Sequence, residues 1–295
     1  MNKIIKYSFS KTLLVVGIAG VSTVSQAGSF GLIENSASGQ GAAFAGASAV
    51  AEDASTIYFN PAGMTRLSGS QIVAAGHILV PDASFTNNGS IDAFGGDLPG
   101  ANSDTGDAAF LPNFYYSREL DNGVFVGVGV NVPFGLATEY DDGWVGRYHA
   151  LNSEITSINV NPSIAWKATE KVSVGFGISI QYIDLELTNN IDSFGACAQL
   201  DPAGGATCAA NGLTPALGVA AQDSAVKLDG DSLELGWNAG ILIDIDDNSR
   251  LGLSYRSAIK HDVEGNTTYN LHPTLQSFAD AASQVSAQNP FGFQI

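Results

Sequence analysis

Arg147, Tyr148 and His149 stand in a row, and a guanidinium, a phenol and an imidazole side by side are raw material for acid–base chemistry. A hydrolase built on His149 would also need a serine nucleophile and an acid that orients the ring. Serines are plentiful, but no acid is placed to serve His149. No nucleophile-elbow, metal-ligand or phosphate-loop pattern occurs in the chain. His149 is read as a structural loop residue, and no catalytic residue is assigned. Cys197 and Cys208 are the only two cysteines. With no His or further Cys nearby to complete a ligand set, they predict a loop-closing disulfide rather than a metal site. Asp82, Asp92, Asp97, Asp104 and Asp107 gather in one stretch. They read as a solvated face, with divalent-cation binding as the alternative. Arg256 and Lys260 alternate with apolar residues, where they could meet a ligand carboxylate or pair with an acid such as Glu234.

The elements that must position these residues read as long strands. From Val172 to Leu187 the side chains alternate, with Val172, Val174, Phe176, Ile178, Ile180 and Tyr182 opposing Ser173, Gly175, Gly177, Ser179 and Gln181. A globular strand runs ~5–6 residues, whereas a tilted strand crossing a bilayer needs ~9–11. The same period returns over Val124 to Val132, Ser157 to Trp166, Ser232 to Asp244 and Leu251 to Lys260. It is less regular over Gln71 to Val80 and Phe110 to Leu120, and the count comes to about seven strands.

Asp121-Asn122-Gly123, Thr169-Glu170-Lys171 and Asp246-Asp247-Asn248 are tight-turn sequences. Pro81 to Ala109, Pro133 to Asn152 and Asn189 to Asp231 are long connections. Short turns at one end and long loops at the other are the pattern of an outer-membrane barrel. A charge at the bilayer midplane costs ~2–4 kcal/mol on the lipid face of such a barrel. The face with Glu234, Arg256 and Lys260 therefore lines a lumen, and the Val/Ile/Leu/Phe/Trp face meets lipid. A soluble β-sandwich alternates too, but its wet face would use Lys, Glu and Thr. Gly, Ser and Asn stand here instead, and glycine there predicts close approach by another part of the chain. The fold class is all-β, a transmembrane antiparallel β-barrel.

Thirty-four glycines, 14 % charged residues and a mean hydropathy of +0.11 fit neither a disordered chain nor a helical membrane protein. Residues 1–27 carry Lys3, Lys6 and Lys11, an apolar run from Leu13 to Val21 and the small-x-small site Ser25-Gln26-Ala27. This reads as a secretory signal, too short for the ~20 apolar residues of a spanning helix. It delivers the cysteines to an oxidising compartment. Losing its three lysines takes the net charge from −17 to −20, which argues against nucleic acid as a partner.

Residues 28–68 change character to Ala/Gly-rich, helix-like stretches suited to plug the barrel of residues 69–295. Within them Ser36-Ala37-Ser38-Gly39-Gln40-Gly41, Glu52-Asp53-Ala54-Ser55 and Asn60-Pro61-Ala62 stand in order. Phe134 to Tyr140, Gly146-Arg147-Tyr148, Trp237 to Leu242 and Tyr255-Arg256-Ser257 follow. Together these resemble the outer-membrane long-chain fatty-acid transporter family of FadL/TodX type. The resemblance implies a monomeric 14-stranded barrel with an N-terminal hatch. It implies uptake of fatty acids, or of neutral aromatic hydrocarbons, by diffusion and without a cofactor. It also implies sideways release into lipid through a wall opening at a kinked third strand.

The resemblance places gating at Asn131, Pro133 and Gly135, with Asn60, Pro61 and Ala62 in the hatch beside the opening. Chemistry agrees for the strand, since Pro removes a ladder donor and Gly relaxes the backbone; the plainer reading is that Pro133 ends the strand. For the hatch the plainer reading is a helix start, with Asn60 as cap and Pro61 in the first turn. Ligand-binding positions implied by the family are Phe30, Val132, Phe134 and Leu187. Asn189 falls where a fatty-acid carrier has a basic residue, and Arg256 is the candidate substitute. A general diffusion porin and an outer-membrane enzyme are the contrasting classes. An odd strand count, and a helical piece at Pro273 to Gln288, lead to the expectation that the chain is the first two-thirds of a longer protein.

Overall fold

The alternating stretches build one antiparallel sheet whose apolar face is turned outward. The computed structural model describes residues 31–91, 97–106, 108–214 and 218–285. Residues 1–30, which include the expected signal and Phe30, as well as Asp92, Asp107 and residues 286–295, lie outside the described residues. Within the unit that begins at Leu32, three one-turn helices lead: α1 (Ala37–Gln40), α2 (Ala47–Val50) and α3 (Thr56–Phe59). A 3-10 segment, Pro61–Arg66, follows. Next come β1 (Ser70–Leu79), the small hairpin of β2 (Ala83–Phe85) and β3 (Ser103–Thr105), then β4 (Ala109–Glu119) and β5 (Val124–Asn131). β6 (Gly135–Glu139), β7 (Asn152–Lys167) and β8 (Val172–Ile191) precede α4 (Ser193–Leu200) and α5 (Ala206–Ala210). β9 (Ser224–Asp246), β10 (Ser249–Arg256), β11 (Glu264–Asn270) and α6 (Pro273–Val285) complete the order.

The wall pairs in the order β1-β4-β5-β7-β8-β9-β10, with β6 on β7 and β11 on β9. Seven expected strands are thus seven wall positions, two of them split. The turn between β4 and β5 puts Asn122 at φ 60° and Gly123 at φ 72°, the left-handed geometry that Asn-Gly supplies at low cost. Burial is inverted relative to a soluble protein. Ile72 is 68 % exposed, Leu253 56 % and Ile178 46 %, whereas Ser157 and Ser179 are wholly buried and Asn159 is 1 % exposed. Lipid, not water, is the solvent that such an outer face fits.

The buried polar face is covered by the hatch. Ile57 and Met64 pack against Tyr115, Phe125 and Ala165. A Cβ on Gly175 would overlap the Pro61–Ala62 backbone, and one on Gly240 would overlap the Asn60 amide. Those two glycines are places where the plug backbone comes close to the wall, the close approach their residue type predicts.

The strands run beyond the membrane. The 23 residues of β9 reach about 75 Å at ~3.3 Å each, well past a hydrocarbon core ~30 Å thick even when tilted. The face pattern flips accordingly along β8. Below Tyr182 the outer positions are apolar, while above it they are Asp184, Glu186 and Thr188, and the inner ones become Ile183, Leu185 and Leu187. The flip repeats on β9, where Lys227 meets Glu186 at 2.7 Å. The long connection expected from Asn189 to Asp231 is therefore shorter, because β8 and β9 extend into it.

The seventh wall strand departs from expectation. β10 stops at Arg256, so Ile259 does not continue the lipid face but lies over Gly236 on the inner side. Lys260 is not a lumen residue: its side chain is 87 % exposed and pairs with Asp262 at 3.0 Å. Above the wall, Arg147 is fully buried and ties three loops. It meets Asp223 at 2.6 Å and donates to the carbonyls of Pro99 and Gly218. Tyr148 donates to the same Asp223 carboxylate at 2.8 Å, and burial together with that carboxylate pushes its phenol well above the usual value. Cys197 and Cys208 are bonded, with Leu213 and Leu275 packed around them.

Gly175→Val should displace the hatch without breaking the wall. The expected outcome is an inserted protein with raised ion conductance in planar bilayers; conductance equal to wild type would show that the hatch does not depend on this contact.

Candidate functional site

The site forms where strand pairing fails. β5 pairs with β7 up to Asn131 opposite Asn159, and β6 resumes at Gly135 opposite Thr156. Four steps on one strand face three on the other, so one extra residue bulges at Val132–Phe134. Pro133 has no N–H to give the ladder. Ser157 closes the break with its side chain: its hydroxyl accepts from the Phe134 N–H at 2.9 Å and donates to the Phe134 carbonyl at 2.6 Å.

The bulge opens the wall on its other side. β4 pairs with β5 only from Phe114 to Glu119, and among the described residues Ala109–Asn113 have a strand partner only in β1. A cavity of about 570 Å³ fills this gap. Its lining is mostly apolar and comes from both faces of the wall, Leu79 and Leu111 from within and Phe110 and Ile158 from without. Asn131, Val132 and Gly135 line it too, together with Leu32 of the hatch segment.

A polar ladder joins this segment to the bulge. Leu32 N–H donates to the Pro133 carbonyl at 2.9 Å. Asn131 donates to Asn35 Oδ1 at 2.8 Å and accepts from Asn159 at 3.0 Å, all three being essentially buried. Tyr115 donates to the Asn35 carbonyl at 2.8 Å, and Asn113 to that of Glu34 at 2.9 Å. Asn35, Asn113, Tyr115, Ser157 and Asn159 were not singled out from sequence. Each occupies an inner position of the alternation or the plug, which is the only signal that could have marked them.

The remaining sequence candidates are dispersed. Val132, Asn131 and Gly135 share the cavity with the bulge at Pro133, and Phe134 is 40 % exposed beside it. Leu187 lies within β8, on its inner face opposite Leu228, rather than after the strand. Asn189 donates to the Tyr148 and Asn190 carbonyls at 3.4 and 3.2 Å. Arg256 is pinned to the hatch: it donates to the Tyr58 carbonyl at 2.8 Å and to Ser179 Oγ at 2.9 Å, and lies over the Tyr58 ring. Glu234 is not among those partners. Asn60 caps the 3-10 segment by accepting from Ala62 N–H at 3.0 Å, and donates to the Ser48 and Ile241 carbonyls at 2.7 and 3.2 Å. The expectation that Asn60, Pro61 and Ala62 sit beside the strand break is corrected: Gly175 and Gly240 leave room for them against β8 and β9. Among the described residues no cluster of His, Cys, Asp and Glu is arranged to hold a metal.

A wall with apolar side chains outside and polar ones inside, with a small segment packed on its inner face, is the fold of an outer-membrane β-barrel. Residues 18–290 match the family described as outer membrane protein transport protein (OMPP1/FadL/TodX), and the chain belongs to that family. It is a protein of the outer membrane, and its relatives are transport proteins rather than enzymes. The long-chain fatty acid transport protein of Escherichia coli O6:H1 is 30 % identical over 279 residues, which cover 92 % of this chain and 59 % of the relative. Outer membrane protein P1 of Haemophilus influenzae is 27 % identical over 293 residues, covering 90 % and 61 %. Among solved structures, a Pseudomonas aeruginosa FadL homologue shares the fold at a TM-score of 0.76 and 21 % identity, covering 90 % of this chain and 61 % of that one. The Ralstonia pickettii toluene transporter TbuX does so at 0.53 and 15 %, covering 73 % and 55 %. The chain spans about three-fifths of the length of the curated relatives it matches.

Asn131→Ala strips one partner from both Asn35 and Asn159, at about 1–3 kcal/mol for each buried group left unpaired. Amide exchange across Leu32–Ser36 should accelerate while β8 stays protected; unchanged exchange there would show that other contacts hold the segment.

Proposed function

We propose that the protein takes long-chain fatty acids, or similar hydrophobic molecules, across the outer membrane by passive diffusion. The ligand binds in the lumen and leaves sideways, between β4 and β6, into lipid. The cavity at the strand break carries this reading, because one apolar space is lined from the inner and the outer face of the wall. An alkyl chain gains ~0.8 kcal/mol for each CH₂ it withdraws from water, so partition toward lipid supplies the drive and no cofactor or nucleotide is needed. The named activities of the relatives, long-chain fatty acid transport and toluene transport, support the same ligand class. The chain works as a monomer surrounded by outer-membrane lipid, with Val132, Phe134, Leu187 and Phe30 as apolar contacts and Asn131, Pro133 and Gly135 as the gate. Asn60, Pro61 and Ala62 act on that gate through the position of the hatch.

A second reading has its own support. Asn189, at the position where a fatty-acid carrier has a base, is uncharged and bonded to loop carbonyls. Neutral aromatic hydrocarbons need no carboxylate partner, and toluene should then compete with hexadecanoic acid for uptake.

Deleting Pro133 removes the extra residue and lets β5 and β6 run on as one strand. Uptake of labelled hexadecanoic acid into cells should fall at least about tenfold, equivalent to about 1.4 kcal/mol on the limiting step, while binding to the detergent-extracted protein persists. Undiminished uptake by correctly inserted protein would rule out the lateral route.

A further inference from the structure

Among the described residues, the cavity at the strand break has one charged side chain in its lining, that of Glu154. Three outer-face residues of β7 carry the cavity along the wall: Ile158, Thr156 and Glu154 stand at every second position and all line it. In register on β8 they face Tyr182, Asp184 and Glu186. Ile158 is therefore level with the last apolar outer position of β8, and Glu154 lies about 13 Å further along the strand at the usual rise per residue. The cavity thus runs from the hydrocarbon to the polar level of the wall. Val130 and Ile158 offer apolar contact at the first level, and Glu154 is exposed at the second.

An acid on an outer face at this height would ordinarily be only a solvated side chain, as Glu186 is. Two observations set Glu154 apart. It borders the cavity, which Glu186 does not. Its charge is also unanswered: among the described residues its carboxylate makes no hydrogen bond or ion pair. Glu186 stands directly opposite, where a like charge is unfavourable. The cation that could have served both, Lys227, is held by Glu186 at 2.7 Å.

We propose that Glu154 is a specificity-determining residue, which ranks the molecules that use this cavity by the charge of their heads: ammonium first, then hydroxyl or neutral carboxyl, then carboxylate. A carboxylate side chain only accepts hydrogen bonds. An ammonium head brings it opposite charge and three donors, and a hydroxyl or neutral carboxyl head brings one donor. An ionised carboxylate head brings like charge and no donor. The molecule lies with its chain toward Val130 and Ile158 and its head toward Glu154, the orientation of a lipid in the surrounding leaflet. The inference rests on the hydrophobic-ligand reading above and adds the chemistry of the head, at a residue not singled out from sequence.

The test is competition of hexadecylamine and hexadecanoic acid against labelled hexadecanol, with the full chain reconstituted in phosphatidylcholine bilayers at pH 9, where the amine is charged and the acid ionised. Partition of each ligand into the bilayer is the same for every variant, so the ratio of amine to acid affinity reports the protein. Glu154→Gln should weaken the amine and tighten the acid about threefold each, the scale of an exposed charge pair, lowering the ratio about tenfold. Glu154→Lys should lower it further, and Glu154→Asp, which keeps the charge, should retain most of it. A ratio unchanged by both Glu154→Gln and Glu154→Lys, including an equal change or loss of both ligands, would overturn the proposal. Failure of the wild-type protein to bind hexadecanol or either competitor is a different result: it sinks the proposed function itself, and this inference with it.

Discussion

Backbone in hydrocarbon has no water to turn to, so every N–H and C=O of a membrane wall must find a partner within the protein. The whole molecule follows from that. Long paired strands satisfy most of the wall, and at two of the breaks in pairing a serine takes over. Ser157 does so at the bulge between β5 and β6, serving both the N–H and the carbonyl of Phe134. Ser257 does the same at the end of β10, donating its N–H to the Trp237 carbonyl while its hydroxyl accepts from the Trp237 N–H. Both breaks add one residue to their strand relative to the partner. A break in pairing in such a wall is therefore a built feature, with a hydroxyl in place to make it tolerable.

The same constraint explains the composition of the inner face. A plug that lies inside a paired wall needs room for its backbone, and its own polar groups need partners there. Glycines at 175 and 240 make the room, while Ser173 and Asn238 supply partners, the first to Thr65 and the second to the Ile57 carbonyl. Small and polar residues inside are thus the complement of the hatch as much as the lining of a channel. The outer face answers only to lipid, and so consists of bulky apolar side chains.

These two demands set what could be read from the chain. Period-two alternation with a greasy and a small face is a local property, and it placed the wall strands, their turns and their lipid side. Side-chain bonds between distant segments leave no local trace: Asn35, Asn131 and Asn159 are 96 and 28 residues apart along the chain yet form one ladder. Alternation also cannot say where a strand stops. Ile259 and Lys260 keep the period of β10, but pairing ends at Arg256 and the chain turns inward. Asn60 was legible as a helix cap, whereas its seat against β8 and β9 depends on glycines more than a hundred residues away.

Among the described residues, Glu154 is the one charged residue in the lining of the cavity at the strand break, and the physics favours such scarcity. A cation buried beside an apolar cavity pays a desolvation penalty of several kcal/mol unless it is paired, and a pair would trade ligand affinity for internal stability. Arg256 illustrates the outcome: its guanidinium lies over Tyr58 and donates to the Tyr58 carbonyl and Ser179, fastening the plug to the wall. Arg147 is likewise spent on Asp223 and loop carbonyls. Neutral donors and acceptors carry a far smaller penalty, and they release a ligand more readily than a buried ion pair would. On the proposed route into lipid, neutral side chains such as Asn131 at the strand break meet a hydrophobic molecule without the penalty of a buried charge.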